Sequence, residues 1–211
     1  MLLNLREEYQ SKPLDINHLD ENPITQFHHW FQEALASDIP DANAMTLATC
    51  TSEGRPSARI VLLKDYSEDG FTFFTNYESR KGQELMENPY AALILFWKEL
   101  HRQIRIEGRV EKVSGQYSKE YFQSRPKGSQ IGAWASPQSR PIDRETLERK
   151  VEEIGEQYAD ANHLPLPSFW GGYVVIPNEI EFWQGRPSRL HDRFRYFLQA
   201  DKSWEIKRLA P

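Results

Sequence analysis

Two arginines and a histidine alternate near the C-terminus, in the segment Arg189-Leu190-His191-Asp192-Arg193. In an extended chain, residues two apart point to the same side, so Arg189, His191 and Arg193 would face one site. Three potential cations on one face repel each other unless a planar or anionic group lies between them. The alternation favours a bound anionic ligand, although a C-terminal strand with alternating charges on its solvated face would give the same pattern.

Three further groups of polar side chains occur earlier in the chain, and each contains a cation suited to phosphate. The first group brackets an apolar strand segment. The second opens a helix, where free N–H groups and the helix dipole already favour an anion. The third combines a phenol, a guanidinium group and a hydroxyl, with two neutral donors nearby. In chain order these residues are Arg59 and Lys64, then Arg80 and Lys81, and then Tyr121, Arg125, Ser129, Gln138 and Ser139. Each group alone is compatible with ordinary surface charge, but together they predict two phosphate sites, one for a cofactor and one for a substrate.

The motifs that hold phosphate or metal through a fixed local pattern are missing from the sequence. It contains no G-x-G-x-x-G, G-x-x-x-x-G-K-[ST] or G-x-S-x-G, and no H-E-x-x-H. Its single cysteine, Cys50, excludes a thiolate zinc site and an intrachain disulfide. We therefore expect no metal, and we expect phosphate to be held by side chains rather than by a glycine-rich loop.

Apolar and alternating segments predict the strands that position these residues. They cover residues 44–50, 57–64, 71–75, 90–97, 102–113, 171–176, 179–184, 193–199 and 203–209. Residues 90–97 are apolar on both faces, as in a central strand, whereas residues 102–113 alternate as in a half-exposed strand. Because most strands follow one another without regular βαβ alternation, the sequence predicts an α+β fold built on a mostly antiparallel barrel with peripheral helices.

Four segments are predicted to be helical. The first begins after the capping residue Asn22 and has Ile24, Phe27, Phe31 and Leu35 on one face. The others cover residues 79–87, 114–124 and an amphipathic segment at 147–158. Residues 125–141 are rich in Ser, Gln, Gly and Pro, so we expect them to be irregular.

Length and charge limit the functional classes. The chain has 211 residues, which suits a mobile N-terminal arm at residues 1–22 and a single domain at 23–211. A net charge of −5 argues against nucleic-acid binding. The longest apolar run, residues 90–97, is too short to cross a membrane, and residues 1–10 do not form a signal peptide. We expect a cytoplasmic protein with neither a membrane nor a nucleic-acid partner.

Several segments, in order along the chain, resemble the pyridoxine/pyridoxamine 5′-phosphate oxidase family. They are ARIVLLK, FFTNYESRKGQELMENP, HRQIRIEG, YFQSRPKGSQIGAWASPQS, LPLPSFWGGYVVIPNEIEFWQG, RLHDRFRY and the final RLAP. The resemblance runs from about Arg6 to Pro211, and joint motifs of this length are highly specific.

The resemblance implies a split β-barrel homodimer with FMN at the subunit interface. It also implies an enzyme that oxidises pyridoxine 5′-phosphate and pyridoxamine 5′-phosphate to pyridoxal 5′-phosphate. A hydride would pass from substrate C4′ to flavin N5, and O2 would be the electron acceptor and give H2O2.

The resemblance further assigns residues to the cofactor and to the substrate. Positions that contact FMN in the family match Arg59, Ile60, Val61, Leu62, Leu63, Lys64, Phe74, Thr75, Arg80, Lys81, Gln103, Gln138, Ser139, Trp183 and Arg193. Positions that contact the substrate match Arg6, Glu7, Glu8, Tyr9, Lys64, Tyr121, Arg125, Ser129, Arg189, Leu190 and His191, with Arg189 and His191 as the catalytic pair. The segment from Arg6 to Tyr9 would close over the site.

The chain departs from the family pattern at two positions. Phe74 stands where many relatives carry Tyr, so a phenolic hydrogen bond to the FMN phosphate would be absent. Glu7 stands where a second Arg can occur in the arm. Two alternatives to the oxidase remain, namely another flavin-dependent split-barrel enzyme such as a flavin reductase, and a non-catalytic carrier of pyridoxal 5′-phosphate.

Overall fold

A single antiparallel sheet of nine strands, flanked by five α-helices, makes up the part of the chain that the computed structural model describes, which is residues 8–9 and 11–211. The strands are β1 (Ala44–Cys50), β2 (Pro56–Leu62), β3 (Asp65–Ser67), β4 (Gly70–Asn76), β5 (Tyr90–Trp97), β6 (Arg102–Lys112), β7 (Trp170–Gln184), β8 (Asp192–Leu198) and β9 (Trp204–Arg208). The helices are α1 (Pro23–Ala36), α2 (Arg80–Glu87), α3 (Gly115–Ser124), α4 (Lys127–Ala135) and α5 (Arg144–Gln157). The predicted α+β class, mostly antiparallel with peripheral helices, is confirmed.

The long strand β7 divides the sheet. Along one edge β7 pairs with β6, and along the other it pairs first with β4 and then with β8. The change of partner falls near Pro177, which has no N–H to donate, and a register shift lies opposite it between Glu107 and Gly108. A Cβ on Gly108 would lie 2.1 Å from the Ile176 carbonyl oxygen, so only glycine fits this close approach. The strand predicted as two segments, 171–176 and 179–184, is therefore one bent strand.

Strand β2 is one edge of the sheet, and β4 lies near the other edge, where only its first three residues pair with the short strand β3. The order of the path is β2-β1-β5-β6-β7-β4-β3. The Lys64 backbone N–H donates to the Thr72 carbonyl oxygen at 2.9 Å, which ties the end of β2 to β4. Beyond this bond the two strands are not paired with each other, so a cleft opens between them.

The main core lies on the inner face of the sheet, beneath α1. Its buried side chains include Leu93, Leu95, Ile104 and Phe182 from the central strands. Helix α1 begins at Pro23 because Asn22 caps it, with its side chain accepting from two backbone N–H groups. The buried face of α1 is formed by Ile24, Phe27, Trp30 and Ala34, whereas Leu35, which the spacing placed on that face, is 51% exposed.

The prediction of irregular structure at residues 125–141 is wrong for α4. Gly128 and Gly132 lower the intrinsic helix propensity of this segment, which is why its pattern read as a loop. Tertiary contacts compensate for the low propensity. The buried Gln130 side chain donates to the Arg125 carbonyl oxygen at 2.7 Å and accepts from the Leu164 N–H at 2.8 Å. In addition, α4 packs against α5 in a second, smaller cluster of apolar residues.

The extended alternation predicted for Arg189, His191 and Arg193 is also wrong. Pro187–Arg189 form a short 3-10 turn, with φ of 56° at Ser188 and 60° at Arg189, and β8 begins only at Asp192. The left-handed conformation of Ser188 and Arg189 turns the chain and is incompatible with an extended segment there. The three side chains therefore do not project from one straight strand. The short strand β3 was not predicted at all.

The segment before α1 lies against the C-terminal part of the sheet. The Leu14 N–H donates to Asp192 Oδ2 at 3.0 Å, and the Tyr196 hydroxyl donates to the Asp20 carbonyl oxygen at 2.7 Å. That residues 1–22 form a mobile arm and 23–211 one domain stays a prediction. Among the described residues, no helix combines the length and apolar character needed to cross a membrane.

Candidate ligand-binding site

A cavity of about 860 Å³ lies in the cleft between β2 and β4. Its volume falls in the range of roughly 300–1,000 Å³ that is usual for small-molecule sites. Helices α2, α3 and α4 and the loop after α4 complete its wall. It brings together many of the residues that the resemblance assigned to FMN or to the substrate, namely Arg59, Ile60, Val61, Leu62, Lys64, Phe74, Thr75, Arg80, Lys81, Tyr121, Arg125, Ser129, Gln138 and Ser139.

One end of the cavity is built around the buried carboxylate of Glu84. Arg80 Nε donates to Glu84 Oε1 at 2.8 Å, and Arg59 Nη2 lies 3.3 Å from Oε2. Thr49 and Ser57 donate their hydroxyls to Oε2 at 2.5 and 2.6 Å. Burial alone would raise the pKa of Glu84, but the hydrogen bonds from Ser57, Thr49, Arg80 and Arg59 outweigh it and lower the pKa to about 2. Glu84 is therefore ionised and fixes both arginines at this end.

Lys81 lies beside this cluster as a buried cation. Its ammonium group donates to Thr75 Oγ1 at 3.2 Å, Ser79 Oγ at 3.3 Å and Gln138 Oε1 at 3.1 Å. Burial, and then the charge of Arg59, lower the pKa of Lys81 to about 8, while Glu84 opposes the shift. All three acceptors are neutral. An anion bound in the cavity would therefore stabilise the charged form of Lys81, which burial destabilises.

The other end of the cavity contains Arg125 with an unused donor. Arg125 Nη2 donates to the Ser129 carbonyl oxygen at 3.0 Å. Arg125 Nη1 is buried and makes no hydrogen bond to the described residues. Burial lowers the pKa of Arg125, and Tyr121 opposes the shift. A buried guanidinium N–H without an acceptor is costly unless a ligand supplies one, which makes this end a second site for an anion.

Aromatic rings form the wall near Arg125. Phe74 stacks on Tyr121 with ring centroids 3.9 Å apart, and on Trp170 at 5.7 Å. Lys64 Nζ lies 5.9 Å from the centroid of the Tyr121 ring. Phe74 therefore supports Tyr121 through ring contact.

The balance of charge favours two anionic groups. Five cationic side chains line the cavity, namely those of Arg59, Lys64, Arg80, Lys81 and Arg125, and no aspartate or glutamate is among its described lining residues. Glu84, behind the wall, neutralises one charge. No cluster of His, Cys, Asp and Glu suited to a metal occurs in the described part of the chain.

A second group of predicted site residues lies apart from the cavity, around His191. The His191 ring lies 4.6 Å from that of Trp183 and 5.7 Å from that of Tyr9. The Arg186 backbone N–H donates to His191 Nδ1 at 3.1 Å, so Nε2 carries the hydrogen of the neutral ring. Burial, and then the charges of Arg189 and Arg193, lower the pKa of His191. His191 is thus a neutral donor through Nε2 at neutral pH.

Arg193 is not an unpaired cation. Its Nε and Nη2 donate to the two oxygens of Glu181 at 2.8 and 3.0 Å, and Glu181 also lies 3.5 Å from Arg105. The repulsion inferred from three neighbouring cations is therefore relieved inside the protein at Arg193. Arg189 and Leu190 are exposed, and Gln103 pairs with Trp183 across β6 and β7.

Some predicted residues fall outside both groups. The Leu63 side chain is buried in the core and does not line the cavity. Glu8 is exposed, and Arg6 and Glu7 lie outside the described residues. The cavity region also contains residues that were not predicted, namely Glu84 and the lining residues Ser57, Ala58, Asn76, Pro126 and Trp170. A glutamate four residues after Arg80 on a predicted helix was a signal for Glu84, whereas Trp170 read as an ordinary core residue.

Comparison with known proteins identifies relatives over the whole chain. Residues 31–158 match the family model described as pyridoxamine 5′-phosphate oxidase. Residues 170–211 match the model described as the pyridoxine 5′-phosphate oxidase C-terminal dimerisation region. The pyridoxine/pyridoxamine 5′-phosphate oxidase of Trichormus variabilis is 56% identical over 211 residues, which cover 100% of this chain and 98% of the relative. The protein of the same name from Salinibacter ruber is 54% identical and covers 100% and 99%.

Solved structures give the same fold. PhzG from Burkholderia lata, in complex with tetrahydrophenazine-1-carboxylic acid, superposes with a TM-score of 0.89 at 30% identity and covers 97% of this chain and 100% of its own. A pyridoxamine 5′-phosphate oxidase-related, FMN binding protein from Nostoc punctiforme superposes with a TM-score of 0.73 at 17% identity, with 92% and 100% covered. The split-barrel architecture implied by the resemblance is confirmed.

Proposed function

Because the chain belongs to the pyridoxamine 5′-phosphate oxidase family, we propose that it is an oxidase that converts pyridoxine 5′-phosphate and pyridoxamine 5′-phosphate to pyridoxal 5′-phosphate with FMN and O2. The observation that carries the proposal is the cavity with a cationic site at each end, one around Arg59, Arg80 and Lys81 and one at Arg125. Two phosphate groups, one of the cofactor and one of the substrate, would match these two sites.

FMN supplies the redox chemistry when it is bound. The chemistry that it would supply is a two-electron oxidation at substrate C4′, with O2 as the final acceptor and H2O2 as the product. The alcohol substrate then yields the aldehyde directly. The amine substrate yields an imine that water converts to the aldehyde and ammonia. The residues of this chain have to bind and orient the two ligands and exclude water.

The FMN phosphate fits the end at which α2 begins. Lys81 offers its ammonium group there, and Arg59 and Arg80 are held in place by Glu84 before any ligand arrives. The first turn of α2 adds its dipole to the attraction of the three cations, which favours a dianion. Thr75, Gln138 and Ser139 line the same end and offer neutral partners.

The substrate phosphate fits the end at Arg125. The free Nη1 of Arg125 would donate to it, with Lys64, Tyr121 and Ser129 as further partners along the wall. Arg189 would lie against the pyridine ring, since a guanidinium plane stacks on aromatic faces. His191 would donate from Nε2 to a polar substituent of the ring, and Tyr9, Glu8 and Leu190 would cover it.

Two copies of the chain are needed to complete this site. Gln103, Trp183 and Arg193 form one row across β6, β7 and β8, and this row is separated from β2 by β1 and β5. At about 4.8 Å per strand, the four steps from β2 to β7 span on the order of 19 Å. We propose that FMN lies at the interface of a homodimer, with the cavity of one subunit facing the row of its partner.

The outer sheet face supports this arrangement. Phe96 pairs with Gln103, which places an apolar side chain beside the row on the same face. Ile60, Leu62 and Phe96 are 65%, 41% and 52% exposed, which is unusual for large apolar residues that share one surface. The match of residues 170–211 to a dimerisation region agrees with a dimer that uses this face.

A steady-state assay with each substrate tests the proposed function. We expect the FMN-loaded protein to form one pyridoxal 5′-phosphate and one H2O2 per O2 consumed. Dependence on added NADH or NADPH, with no pyridoxal 5′-phosphate formed, would instead indicate a flavin reductase. Tight binding of pyridoxal 5′-phosphate without turnover would indicate a carrier.

A further inference from the structure

The guanidinium group of Arg125 is oriented by aromatic rings. Its central carbon lies 4.8 Å from the centroid of the Trp170 ring and 5.6 Å from that of Phe122. Its one described hydrogen bond, from Nη2 to the Ser129 carbonyl oxygen, fixes a single edge of the group. The contact with the Trp170 ring therefore restricts the orientation of the guanidinium group and of its free Nη1.

Trp170 is itself held firmly. It is 7% exposed, and its backbone is fixed as the first residue of β7, where it pairs with Asn76 of β4. Its ring is nearly parallel to that of Phe74, with an interplanar angle of 15°, and it meets the edge of Phe122 at 5.2 Å. Because the Trp170 ring is held on several sides, it can hold the Arg125 guanidinium group that lies over it in one position.

The two ends of the cavity orient their arginines by different means. At the end with Glu84, a carboxylate holds Arg59 and Arg80 and also neutralises part of their charge. At the other end no ion pair involves Arg125 within the described part of the chain, and an uncharged ring takes the place of the carboxylate. A ring orients a guanidinium group through its face without occupying the N–H groups that bind phosphate.

We propose that Trp170 is a positioning residue for the substrate phosphate, acting through Arg125. The proposal rests on the proposed function, because it requires that Arg125 binds the phosphate of the substrate. It predicts an effect on substrates that carry a phosphate and none on FMN, whose phosphate lies at the other end of the cavity.

The test compares Trp170→Leu, which removes the ring, with Trp170→Phe, which keeps a smaller one. In Trp170→Leu we expect KM for pyridoxine 5′-phosphate to rise by about tenfold, as for the loss of a desolvated cation–π contact. We expect kcat to stay within about twofold and the FMN Kd to be unchanged. In Trp170→Phe, KM should stay close to the wild-type value because a ring remains under Arg125. Equal losses in KM, kcat and FMN affinity would show a merely structural role and overturn the proposal.

A double-mutant cycle keeps the proposal testable if Trp170→Leu does not fold. Arg125→Lys retains the positive charge but loses the planar group that stacks on the ring. If Trp170 acts through Arg125, the small rise in KM that Trp170→Phe still causes in the wild-type background should disappear in the Arg125→Lys background. The proposal would be contradicted if the two substitutions raised KM independently, so that the increase in the double variant equalled the product of the two single increases.

Binding of pyridoxal 5′-phosphate to the FMN-loaded protein, measured by equilibrium dialysis, separates failure of this inference from failure of the proposed function. Wild-type protein that binds this compound without turning over either substrate would contradict the oxidase. A weaker Kd in Trp170→Leu would then still support the role of Trp170. Normal wild-type turnover with an unchanged Kd in Trp170→Leu would overturn the role of Trp170 alone.

Discussion

Lys81 and Glu84 show how single residues prepare the cavity for an anion. The Glu84 carboxylate accepts hydrogen bonds from two arginines and two hydroxyl groups. Lys81, by contrast, has only neutral acceptors around its ammonium group. Because burial opposes its charge, Lys81 gains more from a bound phosphate than an exposed lysine would. The sequence identified Lys81 from its place at a helix start, but its burial comes from packing that no local pattern encodes.

We predict that FMN affinity depends on the protonation of Lys81. Burial lowers the pKa of Lys81 to about 8, so the ligand-free protein is charged there below pH 8 and loses the charge above it. The FMN Kd should therefore rise between pH 7 and pH 9, while the Kd for riboflavin, which lacks the phosphate, should change little. Glu84 stays ionised over this range because its pKa is about 2.

The control for this prediction is Lys81→Met, which removes the charge and keeps a side chain of similar length. It should bind FMN at least about tenfold more weakly at pH 7, as for the loss of a charge-assisted hydrogen bond. Its FMN Kd should no longer vary between pH 7 and pH 9. A pH dependence in Lys81→Met equal to that of the wild type would assign the titration to another group.

In the proposed site, Arg189 contacts the substrate and not the cofactor. We predict that Arg189→Ala lowers kcat/KM by roughly a hundredfold, since poor orientation of the reacting groups can cost that much, and leaves FMN bound. Arg144→Ala, an exposed arginine of α5, serves as the control and should have no effect. Loss of FMN from Arg189→Ala during dialysis would show that Arg189 holds the cofactor instead.

At the scale of elements, the bend of β7 determines where the site residues lie. The first part of β7 carries Trp170 and faces β4, and the last part carries Trp183 and pairs with β8. Gly108 of β6 permits the bend, because a Cβ there would lie 2.1 Å from the Ile176 carbonyl oxygen. One end of β7 thereby contributes Trp170 to the cavity, and the other end contributes Trp183 to the group around His191.

We predict that Gly108→Ala destabilises the fold. The methyl group would meet rigid backbone, so the loss in the free energy of unfolding should be about 1–3 kcal/mol. Gly128→Ala is the matched control, since a Cβ at Gly128 meets nothing within 4 Å and alanine favours the helix α4. Urea denaturation should show the first variant less stable than the wild type and the second equal or more stable. If Gly108→Ala were as stable as the wild type, strands β6 and β7 could separate locally at little cost in free energy.

The sequence predicted elements well where pattern and propensity agreed. Strands β1 and β5 match their predicted bounds at residues 44–50 and 90–97. The failures occur where tertiary contacts override local signals. Helix α4 forms despite its glycines because Gln130 is held by Arg125 and Leu164. The turn at Pro187–Arg189 replaces an expected extended segment, since the alternation of charge carries no information about φ.

At the scale of the whole molecule, the outer sheet face combines an apolar part with a charged part. Ile60 and Phe96 lie on the strands toward β2, and the ion pairs of Glu181 with Arg105 and Arg193 lie toward β8. The residues assigned to FMN by resemblance occur at both parts. The resemblance implied the proposed division of the site between two surfaces, but residue spacing did not, because spacing along the chain says nothing about which edge of a sheet a residue reaches.

We predict that Phe96→Glu prevents formation of the dimer and weakens FMN binding together with it. A charge at the centre of an apolar contact would be desolvated without a partner. Leu35→Glu replaces a similarly exposed apolar side chain, 51% exposed, on α1 and should leave both properties unchanged. Analytical ultracentrifugation and an FMN titration check the two outcomes. A Phe96→Glu protein that stays dimeric with normal FMN affinity would place the interface elsewhere.

The visible spectrum of the FMN-loaded protein, recorded without oxygen before and after adding pyridoxine 5′-phosphate, tests the central claim most directly. We predict that the flavin absorption band bleaches and that air restores it with one H2O2 released per flavin. A band that stays unchanged with both pyridoxine 5′-phosphate and pyridoxamine 5′-phosphate would contradict the oxidase, even if the protein binds FMN tightly.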